Sequence, residues 1–115
     1  MASTWESTQS DGKAMDIYVS MPEGSGPFPG IVVIHHMSGV DPFTRSIAER
    51  LAGEGYAAVA PTLYHRNSES ERAAATGPKD LLKDPQVIAD VNAAADHLRS
   101  HTSVDGNALG IIGFC

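Results

Sequence analysis

The chain is 115 residues long, 42% hydrophobic and 19% charged, a balance that suits one small globular domain. Its 8 basic and 14 acidic residues leave a net charge of −6, and the basic ones form no cluster, which argues against nucleic acid or an anionic membrane as partner. The polar start, Met1 to Lys13, carries no apolar secretory segment, and no run reaches the ~20 apolar residues of a membrane span, so a cytoplasmic location is expected.

Thr4 to Thr8 and Ala14 to Met21 are candidate strands, and Ser10-Asp11-Gly12 between them is a turn signal, so the pair reads as a hairpin. Pro22 to Gly30 is rich in Gly and Pro and reads as loop. Ile31-Val32-Val33-Ile34 is β-branched and apolar throughout, the pattern of a strand buried on both faces in a parallel sheet. Asp41 then caps a helix with Pro42 at its first position, and Phe43, Ile47, Leu51 and Ala52 share one face until Gly53 and Gly55 end it. Tyr56 to Ala60 is a second apolar strand, stopped by Pro61.

Thr62 to Asp84 is a long polar stretch, of the kind that is usually functional or mobile, with room for a short helix at Ser70 to Ala75. Asp84-Pro85 opens a helix through about Ser100, with Val87, Val91, Ala94, Ala95 and Leu98 as its apolar stripe. Asp105-Gly106-Asn107 reads as a turn, and Ala108 to Gly113 as a third apolar strand. A hairpin followed by strand–helix–strand–helix–strand predicts an α/β fold: a mostly parallel sheet with helices on its faces.

The single cysteine, Cys115, can form neither an internal disulfide nor a zinc framework by itself. A lone cysteine is more often a buried core thiol than a nucleophile. Its position suggests more: Gly113-Phe114-Cys115 follows the third strand, where a small residue two places before a nucleophile leaves room for a sharp strand-to-helix turn. His35-His36-Met37-Ser38-Gly39 follows the first apolar strand, and ligands in open α/β sheets bind outside the carboxyl ends of the strands. The Met37 backbone N–H is therefore a candidate oxyanion donor, and His36 a candidate pocket residue. Tyr64 could shape the pocket or simply pack.

Other readings of these residues are plainer. His35 and His36 are adjacent on an extended segment and point to opposite sides, so no metal site is expected from them. Asp41 and Asp105 suit cap and turn roles, and Asp90 and Asp96 are expected on the solvated face of their helix. Gly110-x-x-Gly113 lacks the dinucleotide fingerprint, so no organic cofactor is implied.

Gly30-Ile31-Val32-Val33-Ile34, a loop ending Ser38-Gly39-Val40 and a helix carrying Arg45 resemble the dienelactone hydrolase family. So do Gly55-Tyr56-Ala57-Ala58-Val59-Ala60-Pro61 with Leu63-Tyr64, and the closing Gly110-Ile111-Ile112-Gly113-Phe114-Cys115. The similarity runs from about residue 13 to 115. It implies a partial α/β-hydrolase fold and a cysteine nucleophile, Cys115, acting on a small ester or lactone. The fold's triad order then puts the acid and the histidine after Cys115. A glutamate is common in the family where His36 stands here, and the family's Asp-Leu-Tyr is Thr62-Leu63-Tyr64. The family's carboxylate-binding arginine has no secure match, Arg72 being only a guess.

Residues 1–115 are accordingly expected to be the amino-terminal part of a single dienelactone-hydrolase-like domain, inactive alone. The alternative is a short non-catalytic binding module or one half of a split enzyme. Against that alternative, a natural terminus rarely lies inside a core element. The oligomeric state is not legible.

Overall fold

The computed structural model describes residues 2–35, 39–66 and 83–113. Seven elements follow in order: β1 (Ala2–Ser10), β2 (Lys13–Met21), β3 (Phe28–Ile34), α1 (Pro42–Gly53), β4 (Ala57–Pro61), α2 (Asp84–Arg99) and β5 (Val104–Gly113). The strands form one mixed sheet in the order β1-β2-β4-β3-β5. β1 and β2 pair antiparallel, β2 joins β4 antiparallel, and β3 lies parallel to both β4 and β5. The predicted hairpin therefore forms one edge of the sheet. Asp11 and Gly12 both have positive φ, 53° and 75°, the pairing that an Asp-Gly two-residue turn supplies.

Strand alternation divides the core into two layers. Met15, Ile17, Val19, Val32, Ala57 and Val59 pack with Ala94 and Leu98 of α2. Tyr18, Val33, Ala58 and Ala60 pack with Ala48 of α1, flanked by Ile47 and Leu51. Successive residues of β4 thus serve opposite layers, which is why its five residues are all buried.

The capping expectation for α1 holds: the Thr44 N–H donates to Asp41 Oδ1 at 2.9 Å, with Pro42 at the start of the helix. The expected stripe holds at Ala52, which is buried, and at Ile47 and Leu51, which pack half-buried on the core, but not at Phe43. Phe43 is 47% exposed, and Thr44, Ala48 and Ala52 are the buried positions. Small side chains at this i, i+4, i+8 ridge let the helix sit close to the sheet.

On α2 the buried ridge is Asp90, Ala94 and Leu98, with Val87, Val91 and Ala95 half-buried beside it. Asp96 is exposed as expected, but Asp90 is fully buried. The expectation of a solvated Asp90 is therefore wrong, because hydrogen bonds described below make its burial tolerable.

Asp105-Gly106-Asn107 lies inside β5 rather than before it. Phe28 pairs with Val104 and Gly30 with Leu109, so two steps of β3 face five of β5. The extra residues bulge, held by the Asn107 N–H donating to Asp105 Oδ1 at 3.0 Å. β5 is the other edge of the sheet, and Ile111 and Ile112 on it are 61% and 41% exposed. The suggested helix at 70–75 lies outside the described residues.

Candidate active site at the carboxyl ends of the parallel strands

β3, β4 and β5 run in one direction and end at Ile34, Pro61 and Gly113. Ile34 and Gly113 are register partners at the carboxyl ends of β3 and β5. A Cβ on Gly113 would meet Ile34 Cβ at 3.7 Å, an ordinary contact.

The loop after β3 is tied to the loop after β4. His35 is buried, and its Nε2 accepts a hydrogen bond from the Leu63 N–H at 3.0 Å. That contact makes Nε2 the unprotonated nitrogen of a neutral ring. The Tyr64 ring packs on His35 with centroids 5.3 Å apart. On its other side Tyr64 Cδ2 lies 3.8 Å from where a Cβ of Gly39 would stand, and Gly39 has φ +79°, a conformation that favours glycine. Tyr64 is only 5% exposed, so its ring is packed between the β4 loop that carries it and His35 and Gly39 of the β3 loop.

The β4 loop is anchored further out. Thr62 donates to Asp16 O from both its N–H (3.1 Å) and its Oγ1 (2.7 Å). Beyond it, Asp90 gathers three donors: Ser10 Oγ at 2.6 Å, His65 Nε2 at 3.0 Å and Arg66 Nη1 at 2.8 Å. Arg66 Nη2 also reaches Asp11 Oδ2 at 2.7 Å, and His65 Nδ1 lies 3.2 Å from Ala14 O. Both ring nitrogens of His65 thus lie against oxygen atoms, of Asp90 and of Ala14. Burial pushes the Asp90 carboxyl up, but the hydrogen bonds from Arg66, Ser10 and His65 outweigh it and hold the group below its ordinary value. The hydrogen bond to Asp90 likewise raises the Arg66 guanidinium, against the opposing effect of burial. One carboxylate thereby pins the β4 loop to both the hairpin turn and α2.

Of the expected site residues, Tyr64 stands at this end of the sheet; Cys115, Met37 and His36 lie outside the described residues, as does Arg72. The sequence reading missed Asp90, His65 and Arg66. The signal available was Asp90 in i, i+4 register with Ala94 and Leu98, a polar residue inside an apolar ridge.

A mixed sheet with parallel β4-β3-β5, one helix on each face and a candidate site at the strand ends places the chain in the α/β-hydrolase fold. Residues 15–115 match the family model described as the dienelactone hydrolase family. A protein of Escherichia coli strain K12, provisionally named carboxymethylenebutenolidase, is 37% identical over 118 aligned positions, covering 95% of this chain and 42% of that protein. A Bradyrhizobium protein named as a probable 2-oxo-3-(5-oxofuran-2-ylidene)propanoate lactonase is 27% identical and aligns with the whole chain and 48% of its own length. The crystal structure of a protein from Klebsiella pneumoniae, provisionally assigned as a dienelactone hydrolase, superposes with a TM-score of 0.83 at 32% identity, over 100% of this chain and 51% of that one. The chain belongs to the dienelactone hydrolase family and spans about half the length of these relatives. No described helix is long and apolar enough to cross a membrane.

Proposed function

We propose that residues 1–115 are the amino-terminal part of a single-domain hydrolase acting on small esters or lactones through Cys115. The observation that carries this reading is the pairing of Ile34 with Gly113, since the two segments that would hold the nucleophile and the oxyanion donor continue from those residues. In this reading the Cys115 thiolate attacks the carbonyl carbon, and the Met37 N–H supplies one of two oxyanion donors. The alcohol portion leaves, water hydrolyses the acyl-enzyme, and the acid and base of the triad follow Cys115 in the chain. His36 lines the pocket, and Tyr64 packs between the two loops. A lone thiol nucleophile suits the cytoplasm, where thiols stay reduced.

The relatives' names support the substrate class, and the neutral His35 with its buried partners supports a preorganised loop at the site. The test is hydrolysis of p-nitrophenyl acetate and a small enol-lactone by the chain extended to the length of its relatives. The expected outcome is activity that falls by roughly 10³-fold or more in Cys115→Ala, as for removal of other nucleophiles, with no measurable turnover by the 115-residue chain. Unchanged activity in Cys115→Ala would overturn the reading. The exposed Ile111 and Ile112 favour a second reading, one half of a split enzyme. That version is supported if a separately expressed second half restores turnover on mixing.

A further inference from the structure

Away from the strand ends, Glu6, His97 and His101 bring one donor atom each to within 4.8 Å of one another. His97 Nε2 is 2.7 Å and His101 Nε2 3.3 Å from the same atom, Glu6 Oε1. The two histidines are four residues apart, the spacing that puts side chains on one face of a helix. His97 is in the last turn of α2, and the His101 N–H continues that turn by donating to Leu98 O at 3.0 Å. Glu6 comes from β1, where its cross-strand partner Ile17 packs in the layer under α2. Its second oxygen, Oε2, accepts from Thr4 Oγ1 at 2.8 Å, which orients the carboxylate. All three side chains are half-buried, and His97 also lines a groove of about 450 Å³ between β1 and α2.

We propose that Glu6, His97 and His101 form a binding site for a divalent transition-metal ion of the zinc class. Two imidazoles and a carboxylate are a donor set that zinc favours, with bonds of about 2.0–2.1 Å. Tetrahedral geometry at that bond length separates neighbouring donors by about 3.3 Å. The His101–Glu6 distance already matches, and the His97–Glu6 distance needs to open by about half an ångström. Calcium and magnesium take six or more oxygen ligands and are poor fits. Three protein ligands leave a fourth position for water or a small anion. None of the three residues is among those assigned to the candidate active site, so this proposal does not rest on that reading. A bound ion would join the edge strand to the end of α2 and stabilise the folded chain by mass action.

The plain alternative is a Glu6–His97 hydrogen bond that staples β1 to α2 and binds nothing. The two are separated by titrating the 115-residue chain with ZnCl₂ by calorimetry, in a Cys115→Ser background that removes the lone thiol as a competing ligand. Binding of one equivalent is expected, together with a melting temperature that rises with zinc concentration. In His101→Gln the affinity should fall by more than the roughly 10-fold that loss of an outer partner of a metal ligand can cost, and His97→Gln and Glu6→Gln should do the same. Co²⁺ in place of zinc should give the visible absorption of a tetrahedral site in the parent and not in the variants. No saturable zinc binding up to about 1 mM, or an affinity unchanged in His101→Gln, overturns the proposal. Should His97→Gln or Glu6→Gln fail to fold, His101→Gln decides alone, because the Glu6–His97 bond survives in it.

Discussion

Asp90 shows how one buried side chain can organise several segments. With Ser10, His65 and Arg66 as donors, its charge is compensated within the protein, which is the condition for burying a carboxylate. Asp90→Asn takes from the buried cluster the carboxylate that accepts from all three donors and leaves Arg66 paired with Asp11 alone, so a loss of about 1–3 kcal/mol is expected by urea unfolding. The sign of the pH dependence follows from the depressed carboxyl. Its ordinary value is 3.8 and its folded value is lower, so the stabilisation is fully present above about pH 5 and is lost as pH falls through the folded value. Urea midpoints measured from pH 7 to pH 3 should decline below pH 5 in the parent chain and decline less in Asp90→Asn. Equal slopes would mean that Asp90 is not the group responsible.

Among the elements, those with strong local signals form where the sequence places them. The Asp11-Gly12 turn, the Asp41-Pro42 helix start and the Ile31–Ile34 run each act over a few residues, so nothing distant is needed to recognise them. Where packing decides, the local pattern misleads. Phe43 has the apolarity of a core residue, yet Thr44 occupies the contact because the helix must approach the sheet closely. Gly30 is a stricter case of the same constraint. A Cβ there would stand 2.5 Å from Leu109 Cδ2 and 3.1 Å from Leu98 Cδ1, at the junction of β3, β5 and α2. Leu98 is fully buried and has little freedom to retreat. Gly30→Ala is expected to lower stability by about 1–3 kcal/mol, an overpacking cost visible as a lower urea midpoint with an unchanged slope.

For the molecule as a whole, the two edges of the sheet differ in kind. β1 is polar apart from Trp5, whereas β5 presents the adjacent Ile111 and Ile112 to solvent beside an apolar concavity lined by Ile47 and Leu51 of α1. An exposed apolar edge strand is a template for association. The 115-residue chain should therefore self-associate with rising concentration, and Ile111→Lys with Ile112→Thr should shift it toward monomer in sedimentation velocity without lowering its melting temperature. A parent chain that stays monomeric at high concentration would show that this edge is harmless as it stands.

The sequence alone determined the class of fold, the order of its elements, the Asp41 cap, the Asp11-Gly12 turn and the family resemblance, because each is written in short-range patterns of residue type. It also indicated the end of the sheet where a site would form, since strands alternating with helices carry that polarity. The tertiary structure decided what distant residues do to one another: Asp90 meets Ser10 across 80 residues, and Glu6 meets His97 across 91. The register of Asp90 with Ala94 and Leu98 hints at burial but names none of its donors, and two histidines four apart declare no third ligand until β1 is laid beside α2. Chain connectivity says nothing about such meetings, because pairing of distant segments depends on how the sheet orders its strands and which face each helix covers.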